Sequence, residues 1–216
     1  RIRVSTDGAL LFAPCLSTNE LVVVDTGSNL VKTRVPVGQR PDAVLYLSKT
    51  QKVVVSNRYS PFLSMVDSTT LLPAERVTLP GNGGAMALVP NDAENHIIVA
   101  DVAKPPIYVV NLQTFTILKT FDSFSNISAQ WGGEDAQGKM RLWTTSRSQN
   151  QVQILDYASG KVLKTVDVGL KPVDFVAFGR RVYVVCAGSD RLDVIDRVTL
   201  ERLDPVNLPD GSFPSG

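Results

Sequence analysis

The chain has 216 residues, with 22 Lys+Arg against 21 Asp+Glu, a formal net charge of +1 and 44% hydrophobic residues. That balance supports a sizeable buried core and gives no electrostatic reason to bind nucleic acid. No apolar run approaches the roughly 20 residues that span a bilayer, and the two cysteines, Cys15 and Cys186, are too few for a disulfide framework.

In chain order, short β-branched and alternating runs separated by turn residues predict strands throughout. A first repeat places strand A over residues 1–5, B over 9–14 (ALLFAP), C over 20–24 and D over 30–37, with Gly27-Ser28-Asn29 turning C into D. Repeat two opens with Gly38-Gln39-Arg40-Pro41, carries KVVVSN as strand B, and reaches FLSMVD through the B–C loop Arg58-Tyr59-Ser60-Pro61. Repeat three opens through Gly81-Asn82-Gly83-Gly84, has HIIVAD as strand B, and holds Lys104-Pro105-Pro106 in its B–C loop. These glycines lack the strand-to-helix setting of a phosphate loop, so they read as a D–A crossover. In repeat four strand A is expected to end at Trp131, followed by a long A–B loop over 132–139, with Trp143 on strand B. Both tryptophans are expected in the packing between repeats. Asn126-Ile127-Ser128 fits the glycosylation pattern at the rate that chance predicts. Repeat five opens through Gly169-Leu170-Lys171-Pro172 and reads RVYVVC, then RLDVID.

The strand C copies close on Asp25, Asp67, Asn111, Asp156 and Asp196, at separations of 42, 44, 45 and 40 residues. A strand-only period near 40 residues is the signature of a β-propeller built from four-stranded antiparallel blades. The expected fold is therefore all-β, a single propeller domain over 1–216, with repeats at about 1–38, 39–81, 82–124, 125–169 and 170–211. The short closing carboxylates are expected to accept backbone N–H groups of the next turn.

Gly211-Ser212-Phe213-Pro214 repeats the Gly-x-x-Pro spacing of residues 38–41 and 169–172, so residues 212–216 read as the start of a further strand A. Two arrangements follow: a closed five-blade ring with one strand shared by the termini, or part of a seven-blade ring. Both follow from the two ends falling inside the same strand A, and the second is preferred, because a mature protein rarely starts and stops in mid-strand.

The motifs Ser5-Thr6-Asp7-Gly8, LVVVDT, RVYVVC and DVIDRVT resemble the YVTN-type family of β-propeller repeats, and the likeness runs the length of the chain. That resemblance implies the propeller fold, and it implies a secreted, cell-surface or periplasmic protein. It leaves function open, since the same repeat serves surface-layer, secreted and redox proteins.

His96 is the only histidine and is expected at a solvent edge at the start of strand B, so multi-histidine zinc, copper and haem sites are excluded by count. Carboxylates at Asp7, Asp92, Glu134 and Asp135 leave room for an oxygen-only calcium site, but three of them belong to ordinary A–B turns on different blades, and no metal is expected there. No catalytic residue, metal site or cofactor is predicted, and both cysteines are expected as buried or half-buried thiols. One constellation remains. In a four-stranded antiparallel blade the D–A and B–C loops share a face, which puts Arg40 and Lys171 beside Arg58, Lys104 and Arg147. Such a basic rim favours a small anionic ligand or an acidic patch on a protein partner. The chain is accordingly expected to be a non-catalytic ligand- or protein-binding propeller. The alternative is the propeller portion of a lactonase-like or quinoprotein-like oxidoreductase whose catalytic or cofactor residues lie elsewhere.

Overall fold

The structure, a computed structural model, describes residues 2–88, 95–101, 106–121, 127–135 and 138–214. Its regular elements among these residues are all strands, in five four-stranded antiparallel sheets of propeller type. Blade one comprises β1 (Arg3–Val4), β2 (Leu10–Cys15), β3 (Glu20–Asp25) and β4 (Leu30–Pro36). Blade two comprises β5 (Pro41–Leu47), β6 (Lys52–Asn57), β7 (Phe62–Asp67) and β8 (Pro73–Thr78), and blade three β9 (Gly83–Leu88), β10 (His96–Asp101), β11 (Ile107–Asn111) and β12 (Thr116–Phe121). Blade four comprises β13 (Ile127–Glu134), β14 (Met140–Ser146), β15 (Gln151–Asp156) and β16 (Val162–Asp167). Blade five comprises β17 (Pro172–Phe178), β18 (Arg181–Cys186), β19 (Arg191–Asp196) and β20 (Arg202–Asn207). Each sheet keeps its strands in sequence order, as a meander must.

The chain divides into two compact units: Arg1–Val102 with Tyr108–Lys119, and Ala103–Ile107 with Thr120–Gly216. In the first, β6 is buried on both faces. Val53 and Val55 of β6 pack with Phe12, Leu21, Val23 and Val35 of blade one, while Val54 packs with Leu63, Met65, Ile97 and Val99 toward blade three. Two buried faces explain why Val53, Val54 and Val55 are consecutive apolar residues with no polar alternation. Each such side chain contributes roughly 1.5–3 kcal/mol of burial. In the second unit Trp143, 2% exposed, packs with Val152, Ile154, Val182, Val184 and Ile195, as the sequence predicts for that tryptophan. The side chain of Trp131 lies outside what the structure describes.

The closing residues behave as short turn acceptors. Asp67 Oδ1 accepts the N–H groups of Thr69 and Thr70 at 2.9 and 2.8 Å, and Asn111 Oδ1 those of Gln113 and Thr114 at 2.8 and 2.9 Å. Asp196 Oδ1 does the same for Val198 and Thr199 at 2.8 and 3.0 Å, and Asp25 and Asp156 each accept one such N–H at 2.9 Å. These bonds hold the carboxyls of Asp25, Asp67 and Asp196 below the usual aspartate range, and the Ser159 hydroxyl, followed by the Ser159 N–H, does the same for Asp156.

Blade four departs from the expected pattern. β13 continues past Trp131 to Glu134, because Gly132 and Gly133 stay in register opposite Leu142 and Arg141. The loop is correspondingly short, and Asp135 closes it by accepting Lys139 N–H at 2.9 Å and pairing with Arg141 at 2.7 Å. His96 is half-buried rather than at a solvent edge, its Nε2 lying 3.3 Å from Asn111 Nδ2. That pairing follows from its place on β10 beside β11. Both cysteines are free, Cys186 buried and Cys15 half-buried.

Candidate functional site

The Gly-x-x-Pro crossover is the element that places the predicted basic residues. At Gly38-Gln39-Arg40-Pro41 three successive N–H groups each find a side-chain oxygen: Gly38 donates to Ser64 Oγ at 3.1 Å, Gln39 to Ser60 Oγ at 2.9 Å and Arg40 to Asn19 Oδ1 at 2.8 Å. Proline, with no N–H, needs no fourth partner. Gly169-Leu170-Lys171-Pro172 repeats the scheme in the second unit, donating to Asp193 Oδ2 at 2.6 Å, Ser189 Oγ at 2.6 Å and Asn150 Oδ1 at 2.9 Å. The glycine is there for space. A Cβ on Gly38 would lie 2.5 Å from Asn57 Cγ, and one on Gly169 2.8 Å from Cys186 Cβ.

The third residue of each crossover is left-handed, Arg40 at φ 50° and Lys171 at φ 54°. Glycine adopts that conformation without steric cost and a long side chain does not. Two long cations nevertheless occupy it, and both are exposed. Asn19 and Asn150, themselves left-handed at φ 58° and 56°, hold the crossover N–H from the preceding blade. The following blade grips the carbonyl: Arg58 N–H donates to Arg40 O at 2.9 Å, and Ala187 N–H to Lys171 O at 3.1 Å. D–A and B–C loops thus meet on one face within each unit.

Of the five basic residues predicted there, Arg40 and Arg58 come together in the first unit, on hydrogen-bonded loops. Arg147, exposed, shares its B–C loop in the second unit with Asn150, which holds Lys171 N–H. Lys104 and Asp92 lie outside the described residues. Arg58 is committed to Asp42, Nη2 to Oδ1 3.1 Å, whereas Arg40 has no carboxylate partner among the described residues. Its guanidinium instead sits over Tyr59, 5.3 Å from the ring centroid. A cleft of about 420 Å³ opens here, lined by Leu16, Ser17, Asn19, Gln39, Arg40 and Tyr59.

Several of these residues are missing from the sequence reading. Asn19 and Asn150 carry a signal, each standing immediately before the first polar residue of strand C. Tyr59, Gln39 and Leu16 carry none, because nothing in a loop sequence tells which of its side chains face a neighbouring loop. Asp193, buried in β19, is also missing. It binds Gly169 N–H, Arg191 Nε at 3.1 Å, Arg202 Nε at 2.8 Å and Cys186 Sγ at 3.2 Å, and so anchors the crossover that carries Lys171. In blade two Asn57 takes the place of Cys186, and its Oδ1 is buried without a protein partner.

A family profile described as YNCE-like beta-propeller matches residues 2–182. No curated protein matches the chain. Among solved structures, the dihydro-heme d1 dehydrogenase NirN in complex with DHE is similar with a TM-score of 0.81 at 15% identity, covering 98% of this chain and 48% of that one. Kuenenia stuttgartiensis hydrazine synthase is similar with a TM-score of 0.76 at 18% identity, covering 94% of this chain and 64% of that one. At such identities the likeness is one of fold, and this chain spans about half of the first protein and less than two thirds of the second.

Proposed function

The chain belongs to the YNCE-like β-propeller family, and from that premise we propose that it is a non-catalytic binding module whose D–A/B–C loop face receives a small anion or an acidic patch on a protein partner. One observation carries the reading: Arg40, a long cation in a left-handed conformation, is held by hydrogen bonds from two blades at the rim of a cleft and has no carboxylate partner among the described residues. Lys171 is held in the same way. An exposed cation with fixed backbone attracts anions and loses little freedom on binding them. We read the repeats as YVTN-type and the protein as one of the cell exterior or periplasm, in keeping with the turn and strand motifs quoted above.

A second reading rests on the similar solved structures. Both similar chains are longer than this one, and the dehydrogenase is in complex with DHE. In that reading the chain is the propeller portion of a larger oxidoreductase. The mass of the natural protein, and any Cys-x-x-Cys-His outside residues 1–216, separate the two.

The test of the first reading is calorimetric titration with citrate and with an oligo-glutamate peptide, at low and at physiological salt. The wild type is expected to bind at least one of them, and Arg40→Gln/Lys171→Gln to bind it about tenfold more weakly with a shallower salt dependence. Failure of both probes to bind, or binding unchanged by the double substitution, refutes it.

A further inference from the structure

Blades two and five make one backbone arrangement with two sets of side chains. The bonds Arg58 N–H to Arg40 O (2.9 Å) and Tyr59 N–H to Gln39 O (3.2 Å) recur as Ala187 N–H to Lys171 O (3.1 Å) and Gly188 N–H to Leu170 O (2.9 Å). Position for position, Gln39, Arg40, Arg58 and Tyr59 stand where blade five has Leu170, Lys171, Ala187 and Gly188. Alanine and glycine therefore satisfy the fold at the two B–C positions. Tyr59 needs another explanation than folding, and at 59% exposure it contributes little to a core.

At blade five the equivalent space is closed from within. A Cβ on Gly188 would meet Leu170 Cβ at 3.0 Å and Lys171 Cδ at 3.3 Å, so the lysine stem lies down over the glycine. At blade two the space is open, with Tyr59 and the 42%-exposed Leu16 beside it. Its polar groups are donors in surplus. Asn19 uses Oδ1 for Arg40 N–H and keeps its Nδ2, Gln39 uses only backbone atoms in its loop bonds, and Ser17 is exposed. A guanidinium over an aromatic ring keeps N–H donors at its rim, where a carboxylate can be held by two of them.

From this we infer that the blade-two cleft is a site for a small organic carboxylate with a flat apolar body. The carboxylate sits on Arg40, assisted by Asn19 Nδ2, Gln39 Nε2 and Ser17, and the body lies against Tyr59 and Leu16. The cleft volume of about 420 Å³ falls in the range of small-molecule sites. The inference rests on the anion-binding reading of this face and narrows it to one ligand class and one blade junction.

Phenylacetate and acetate are the probes, titrated by calorimetry and by ¹H–¹⁵N NMR shifts of Gln39, Arg40 and Tyr59. Phenylacetate is expected to bind about tenfold tighter than acetate, the equivalent of about 1.4 kcal/mol from laying its ring against Tyr59 and Leu16. Gln39→Leu/Arg40→Lys/Tyr59→Gly, which gives blade two the side chains of blade five at three of the four matched positions and leaves Arg58 on Asp42, is expected to abolish that preference with the melting temperature unchanged. Should the triple variant not fold, Tyr59→Ala is expected to remove the preference and Tyr59→Phe to retain it. Equal binding of phenylacetate and acetate by the wild type overturns the inference, as does a preference that survives Tyr59→Ala. Either result leaves the broader reading standing if citrate or oligo-glutamate still binds through Arg40 and Lys171, whereas failure of every anion brings down both.

Discussion

Asp193 offers the sharpest test of how the crossover is held. Its carboxylate is fully buried and accepts from Gly169 N–H at 2.6 Å, Arg191 Nε at 3.1 Å and Arg202 Nε at 2.8 Å. Asp193→Ala leaves the glycine N–H without its acceptor and two guanidiniums without their counter-charge. Removing one partner of a buried ion pair costs about 3–5 kcal/mol. The arginine side chains are 27% and 36% exposed, so water recovers part of their solvation and places the cost near the lower bound, about 3 kcal/mol. For a chain of this size that is a fall in Tm of roughly 6–12 °C. The pH dependence fixes the mechanism. Burial pushes the Asp193 pKa up, but the Gly169 N–H, Cys186 and the two arginines outweigh it and hold the carboxyl below its ordinary range. A depressed folded-state pKa stabilises fully above the unfolded value and is lost as pH falls through the folded one. Thermal melts of wild type and variant should therefore differ most at neutral pH and converge in acid, below about pH 4. A neutral-pH difference under about 1 kcal/mol, or one that persists unchanged in acid, refutes the argument. Asp193→Ser should cost less, because Ser64 already accepts the matching N–H of Gly38 in blade two at 3.1 Å.

Gly38→Ala is expected to destabilise by about 1–3 kcal/mol, since the new Cβ would lie 2.5 Å from Asn57 Cγ. The double variant with Asn57→Ala should regain part of the loss in urea melts, and strict additivity would argue against the contact as its cause. Burial and the Asp193 hydrogen bond push the Cys186 thiol up to about 12, so it should resist a thiol reagent at pH 8 while half-buried Cys15 reacts. Two thiols titrating together from the native protein would contradict this.

The fold was legible because a blade repeats its physics. The middle strands carry the buried apolar residues, each C–D turn needs one short acceptor, and the crossovers at 38–41 and 169–172 each have a glycine for space and a proline to finish, so the residues recur at a countable period. Blade four was misread at Gly132-Gly133 because glycine in a strand and glycine in a loop look alike until a partner strand fixes the register. The neighbourhood of Arg40 and Arg58 was legible, since strand order alone assigns their loops to one face and the two loops are hydrogen-bonded. Its chemistry was not. That Arg58 is committed to Asp42 while Arg40 is not depends on rotamers, and a charge count treats the two alike. Asp193 was hidden for a different reason: within RLDVID a polar residue reads as the outward phase of an alternating strand, and only its partners show that it points inward.

The grip on the crossover peptide bears on how such a chain changes across generations. Its hydrogen bonds run through the backbone of the third residue and a carboxamide or carboxylate one blade back, so a codon change at that residue disturbs neither unless it brings proline, which lacks the N–H, or a β-branched residue, which resists positive φ. Arg40, Lys171 and Phe213 already illustrate the tolerance, the last with its N–H on Asp190 Oδ1 at 2.7 Å. Drift in ligand preference can thus proceed one substitution at a time while folding stays above its threshold. A newly duplicated blade would inherit the socket intact and need only a different side chain to begin a new specificity.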